Sequence, residues 1–301
     1  MSPEAAVIPL RLLQYLGGAV LLGLPLFMLF SGASARWAVR WIAVSAGLTL
    51  ASGAFALIAQ TALMAGSWSA GLTGEALGFV AGGTGLGRAG VVRMAAAALA
   101  LAVLALAPRR WGVLAGLGGV VCAGFAWMGH GAATEGPGGG VHLASDILHS
   151  LAAAVWIGAL VGFLGLLYTT RPDNDDARLA MLHRALERFS GVGTAAVAVI
   201  VGTGLVNGLF LVGLDRLPGL WTTPYGGLLL AKLALFAAML ALAAKNRFTL
   251  TPALGAALEG GVSPAPVLDR LKSSLWLETG AAVAVLALVA WLGTLAPISS
   301  M

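Results

Sequence analysis

The chain has 301 residues, 59% of them hydrophobic and only 10% charged, with a mean hydropathy of +0.94. A soluble domain carries about a quarter of its residues as charged side chains, so this composition excludes one and specifies an all-α integral membrane protein that crosses the bilayer several times. The net charge of +5 is not a nucleic-acid signal, because basic residues in such a chain report loop orientation, and a single cysteine, Cys122, excludes a disulfide framework.

A crossing needs about 20 mostly apolar residues. Eight such runs are predicted, over 8–30, 38–62, 84–107, 112–132, 141–169, 190–212, 224–245 and 275–297. The opening stretch "MSPEAAVIPLRLL" has no basic n-region and no small-residue cleavage site, so the first run reads as a retained span. The glycine-rich connectors 65–83 and 213–223 are too short or too broken to cross and are expected at the interface. Basic residues concentrate in alternate connections: Arg36 and Arg40; Arg109 and Arg110; Arg171, Arg178, Arg184 and Arg188; Lys245, Arg247, Arg270 and Lys272. The other connections are nearly bare apart from Arg216. The positive-inside rule puts the basic set in the cytoplasm, so both termini are expected on the periplasmic side.

The chain also reads as a duplication. "LQYLGGAVLLG" (Leu13–Gly23) aligns with "LHSLAAAVWIG" (Leu148–Gly158); Thr84, Gly87 and Arg93 share their spacing with Thr223, Gly226 and Lys232; "AWMGHGA" (Ala126–Ala132) matches "AWLGTLA" (Ala290–Ala296). Three matches in one order predict two four-helix halves, 1–132 and 141–301, related as a parallel repeat. In this alignment His149 falls opposite Gln14 and His130 opposite Thr294. The histidines therefore belong to one half only.

Ionisable groups inside a membrane span are costly. At about 100° per residue, His142, Asp146, His149 and Trp156 fall within an arc of roughly 80° on the fifth span, and His149 lies about 10 Å deeper than His142. His130 sits at the end of the fourth span, across the turn "GAATEGPGGG". Imidazole suits copper and zinc, and a nearby carboxylate ligates or orients the ring. The same residues also suit haem ligation, a proton relay, or a polar network with Ser145 and Ser150. Met64 and Met128 are softer donors, suited to Cu(I), although methionine is also ordinary core filler. Arg93 and Lys232 lie within the third and seventh spans, where a long basic side chain either snorkels to the headgroups or supplies a fixed charge. Glu278 is read as opening the eighth span, where the helix dipole favours a carboxylate; a metal exit site is the sharper reading. His183, among Arg178, Arg184 and Arg188, is placed on an interfacial amphipathic helix. No nucleophile–base pair, phosphate loop or HExxH motif is present, so no enzyme is expected.

The segments "LHSLAAAVWIGAL" (Leu148–Leu160), "ERFSG" (Glu187–Gly191), "TPYGGLLLAKLALF" (Thr223–Phe236), "KNRF" (Lys245–Phe248) with Pro252, and Glu278 with the terminal "LAP" resemble the copper resistance D family of CopD/PcoD-type inner-membrane proteins. The resemblance covers the chain from "GHGA" onward, with "AQTALMAG" (Ala59–Gly66) in the first half. It implies copper passage across the bacterial inner membrane, from periplasm to cytoplasm, or copper reception in resistance, beside a CopC-like periplasmic copper-binding partner. The family's histidine motif maps onto His149 and, less tightly, onto His130. Two readings follow. In the first, His130, His142 and His149, assisted by Asp146, form a copper entry site at the periplasmic face. In the second, the chain is a b-type haem redox protein with two of these rings, such as His130 and His149, on one haem.

Overall fold

The computed structural model describes residues 2–33, 35–170 and 176–301, and the described residues are helical with short connections. Eight principal helices follow in order: α1 (Pro3–Ser31), α2 (Arg36–Ala65), α3 (Gly85–Leu106), α4 (Trp111–Ala123, continued by a 3₁₀ turn over Gly124–Trp127), α5 (Gly139–Thr169), α6 (Asp176–Leu211), α7 (Pro224–Lys245) and α8 (Ala265–Leu292). A π-helical turn, Asn246–Leu250, carries α7 on into Thr251–Glu259. The predicted interfacial connectors hold only short helices, Trp68–Gly71 and Gly74–Gly83 in the first and Gly219–Thr222 in the second. Seven of the principal helices are long and apolar enough to cross a membrane; the stretch Trp111–Trp127 is apolar but shorter. Arg171, counted among the basic loop residues, lies outside the described residues.

Local chemistry fixes the helix ends. Ser2 accepts the Ala5 N–H at the start of α1, and Pro3 follows in the first turn, where its missing N–H costs nothing. Thr84 and Thr223 cap α3 and α7 in the same way, accepting from Gly87 and Gly226. Gly32 (φ +68°) and Gly66 (φ +82°) end α1 and α2 in the left-handed conformation.

α1 and α5 form the centre. They cross where Gly23 meets Gly158, so closely that a Cβ on either would strike the other helix's backbone. Gly118 of α4 lies equally close to Leu21 and Leu22 of α1, and Gly162 of α5 receives the Phe27 ring. Small residues are the usual means of helix contact where lipid and side chain are equally apolar. Phe27, Phe163, Phe30 and Phe189 fill the adjoining core, with Phe27 edge-on to Phe163 at 4.9 Å. α2 packs along α3, whereas α6 meets the α7 chain chiefly through the extension Asn246–Glu259, where Arg247 donates to Thr194 Oγ1 at 2.6 Å.

One end of the bundle gathers the starts of α1, α5 and α7 with the ends of α4 and α8: Arg11 lies against Gly293, and His130 against Tyr225. At the opposite end, Arg188 donates to the Phe30 carbonyl, Trp37 covers Gly165, and Trp276 donates to Tyr168 Oη. We call these the terminal end and the basic end.

Three of the boundaries that differ from the hydropathy reading bear on the site. α6 begins at Asp176, so the basic amphipathic run is continuous with the span, and Leu179, Leu182, Ala185 and Leu186 bury its apolar face. α8 begins at Ala265 and buries Leu268, Leu271 and Ser274 before the predicted start at 275. Hydropathy averages miss such extensions because their exposed face is polar. α4, in contrast, loses α-geometry early. The Gly124 carbonyl accepts from Arg93 Nη1 at 2.7 Å, and the Met128 N–H turns to Phe125 O instead. A buried guanidinium has taken the acceptor that another helical turn would use.

Candidate functional site

The stripe on α5 survives folding, and each of its members meets a different partner. His142 is buried, with Nδ1 2.6 Å from Thr134 Oγ1 and its ring stacked on Phe210 at 4.7 Å and 4°. Asp146 accepts from Asn207 Nδ2 at 3.4 Å, and its carboxylate lies over Gly131, where a Cβ would come within 2.7 Å of Oδ2. His149 Nδ1 lies 2.9 Å from Thr203 Oγ1, and Ser145, one turn earlier, donates to the Thr203 carbonyl at 3.1 Å. Two residues of α5 thus grip one residue of α6.

The Thr203 hydroxyl assigns the His149 tautomer. Its one proton goes to the Val199 carbonyl at 2.6 Å, so it accepts from Nδ1–H of His149. A neutral imidazole holding its proton on Nδ1 presents a lone pair on Nε2. This is the arrangement in which a ring nitrogen ligates a metal while its other nitrogen is anchored.

His130 stands edge-on to Tyr225, with ring centroids 6.3 Å apart, beside the Leu295 backbone. Lys232 of α7 is close enough to act electrostatically on both Asp146 and His149. α5, α6 and α7 therefore converge on a small polar region at the terminal end. Among the described residues no group of three or more His, Cys, Asp or Glu side chains could hold a metal ion together. The expected shared shell of His130, His142, His149 and Asp146 is thus spread out as separate donors. His130 and His149 engage different helices, so the bis-histidine haem reading gains no support.

The remaining candidates separate. Met64 is exposed at the end of α2, while Met128 is buried and shares a cavity wall with Gln14 and Arg93. Cys122 is buried packing, its thiol donating to the Gly18 carbonyl at 3.3 Å. Arg93 does not snorkel: it is 4% exposed and turned inward, donating to Gly124 O and to Gln14 Oε1 at 3.1 Å. Glu278 corrects the sequence reading. With α8 beginning at Ala265, it lies in mid-helix and not in a first turn, fully buried, accepting from Trp156 Nε1 at 2.7 Å and from Asn246 Nδ2 at 3.1 Å. His183 lies 3.7 Å from Glu187 and faces Gly255 of the α7 extension.

Thr134, Thr203 and Asn207 escaped the sequence reading, having no spacing relation to the histidines, and Asn246 entered it only within "KNRF", with no sign of its bond to Glu278. Only the π-helical turn at Asn246, a feature often found at functional positions, marks one of them as unusual.

Comparison with known proteins agrees with this architecture. Residues 1–141 match the family described as copper resistance protein D-like, N-terminal domain, and residues 183–292 match copper resistance protein D. The chain is 45% identical over 181 residues to copper resistance protein D of Pseudomonas syringae pv. tomato, covering 60% of this chain and 57% of that one. It is 33% identical over 127 residues to the inner membrane protein YebZ of Escherichia coli (42% and 41% covered). It is 35% identical over 119 residues to the copper transport protein CutJ of Bacillus subtilis (40% and 21% covered). The matched stretches thus span at most 57% of these relatives' lengths. No solved structure matches. With seven long apolar helices, the fold is that of a multi-pass inner-membrane protein. The two family matches together cover residues 1–141 and 183–292, and the chain belongs to the copper resistance protein D family.

Proposed function

We propose that this protein receives copper at the periplasmic face of the inner membrane and passes it toward the cytoplasm. The observation that carries the reading is the His149 ring, anchored through Nδ1 on Thr203 one helical turn from Asp146. His142 and His130 extend the donors along the terminal end. Separate donors suit passage better than a closed shell does, since conduction requires sites weak and numerous enough to release the ion. Nitrogen and oxygen donors on α5 fit divalent copper. The buried Glu278, toward the other end of the path, is the exit-side oxygen donor. Copper is cargo here and the role is not enzymatic. A CopC-like periplasmic protein is the proposed donor.

The same reading has eight crossings and both termini in the periplasm. Several contacts support it. α4 runs antiparallel to α1 from Gly118, beside Leu21 and Leu22, to Cys122 and Phe125, beside Gly18. Its 17 residues, α-helical then 3₁₀, span about 27 Å, close to the roughly 30 Å hydrocarbon core. Arg11 against Gly293 joins the first and last helices at one end. The repeat is supported by the Gly23–Gly158 crossing, since these two residues are aligned with each other. It is supported again by Arg93 on Gln14 in one half and Lys232 beside His149 in the other.

Copper uptake into proteoliposomes tests the function. The wild-type protein is expected to accumulate copper, and His149→Ala to lose most of that uptake. Uptake unchanged by His149→Ala sinks the proposed site, and no uptake by the wild type sinks transport.

A further inference from the structure

The first half holds a polar cavity that the copper path does not use. It lies between α1, α2 and α3, is partly enclosed, and has a volume of about 40 Å³. Its polar lining is Arg11, Gln14, Gln60 and Arg93, with Met128 and Gly90 on the apolar wall. No acidic side chain lines it among the described residues.

Arg93 is 4% exposed; Nη1 and Nη2 are bonded to Gly124 O and Gln14 Oε1, and Nε has no partner. Arg11 extends from the wall to the end of α8, where Nη1 lies buried against Gly293, also without a hydrogen-bond partner. The two guanidiniums act on one another electrostatically. A buried guanidinium, Arg93, with an unused Nε–H and a second, half-buried guanidinium close by, has no acidic side chain on the cavity wall among the described residues.

The repeat sharpens the point. In the alignment that sets Gln14 opposite His149, Arg11 falls opposite Asp146, and Arg93 corresponds to Lys232. The second half thus puts a lysine within electrostatic reach of a carboxylate, while the first puts a guanidinium where the carboxylate stands. One half has the composition of a cation site and the other that of an anion site.

We propose that the Arg11–Arg93 cavity binds one small inorganic anion of halide size. Its volume admits such an ion, or a few waters, and is too small for a phosphate-bearing headgroup. The unpartnered Arg93 Nε–H and the Gln60 amide are the donors beside the charge, while the Gln14 amide is held by the Leu10 carbonyl and Arg93. This inference does not rest on the copper reading, and its test contains no copper.

The test uses the purified full-length protein in detergent, without copper. Thermal unfolding is followed in sodium chloride, sodium bromide and sodium gluconate at equal ionic strength, and chloride-36 binding is measured by equilibrium dialysis. The wild type is expected to bind about one chloride per chain and to melt several degrees higher in either halide than in gluconate, as a ligand specific for the folded state requires. Arg93→Gln is expected to abolish both effects. Because Arg93→Gln removes a buried contact, Gly90→Ala serves as the second variant. Its added methyl meets only Arg93 Nη2, at 3.8 Å, so it narrows the cavity while leaving the charges in place, and it is expected to weaken chloride binding at least tenfold in a folded protein. Equal melting in halide and gluconate, chloride binding unchanged in both variants, or stabilisation that follows added anionic phospholipid and not halide would each overturn the proposal.

Discussion

Thr203 shows how much a single hydroxyl can decide. It spends its proton on Val199 and so fixes which nitrogen of His149 carries the proton. Thr203→Val keeps the size of the side chain and removes the acceptor. Loss of such an outer partner costs a metal site roughly 10–100-fold in affinity, so copper binding by equilibrium dialysis is predicted to weaken by that order, with Thr203→Ser restoring it. Full affinity in Thr203→Val would show that the ring is held by something else. Trp156 makes the corresponding point for Glu278. Trp156→Phe leaves a buried carboxyl oxygen without its donor, which costs about 1–3 kcal/mol, read as a lower stability to denaturation. An unchanged stability would mean that water or another group replaces the indole. Asp146 and His149 were legible in the sequence because they share one helix and its period. Thr203, Asn207 and Asn246 were not, because hydrogen bonds between helices have no sequence period.

At the scale of helices, close approach controls the architecture. Glycines at superficially similar places in apolar helices have opposite roles. Gly158 meets the backbone of Gly23, while a Cβ at Gly47 meets nothing within 4 Å. Gly158→Ala is predicted to destabilise the protein by roughly 2–3 kcal/mol or more through overpacking against backbone. Gly47→Ala is predicted to stabilise by about 0.5–1 kcal/mol through helix propensity. Denaturant titration of the two variants checks both signs, and equal effects would remove the α1–α5 contact from the argument. The Gly23–Gly158 match was present in the aligned sequences. Its meaning as a contact was not, because aligned glycines in a repeat need not touch. The early end of α4 was hidden for a related reason: its cause, Arg93, belongs to α3.

For the whole molecule, the decisive question is whether Trp111–Trp127 crosses. With it the chain has an even number of crossings and both termini share a compartment. Reporter fusions after Arg110 and at Met301 are predicted to report opposite sides, cytoplasm and periplasm respectively. Reporters on the same side would reduce the protein to seven crossings and turn the copper path around. Packing around the bundle is also uneven. α2 lies along α3, while α6 leaves much of α7 uncovered, which puts the open side of the bundle next to His149, Asp146 and Lys232.

The sequence by itself determined the membrane class and the position of most crossings, including 224–245, which the structure reproduces as α7. It also determined the shared face of His142, Asp146 and His149. All of these depend on local sums or on a single helical period. Tertiary structure decided that His142 stacks on Phe210, that His149 hangs on Thr203, and that Arg93 turns inward to stop α4. It also carried Glu278 from an expected helix start into the buried middle of α8. The physical reason is that these helices are apolar nearly all round. Burial in lipid and burial in protein then look alike along the chain, and the rotation and pairing of each helix are fixed by contacts with neighbours remote in sequence.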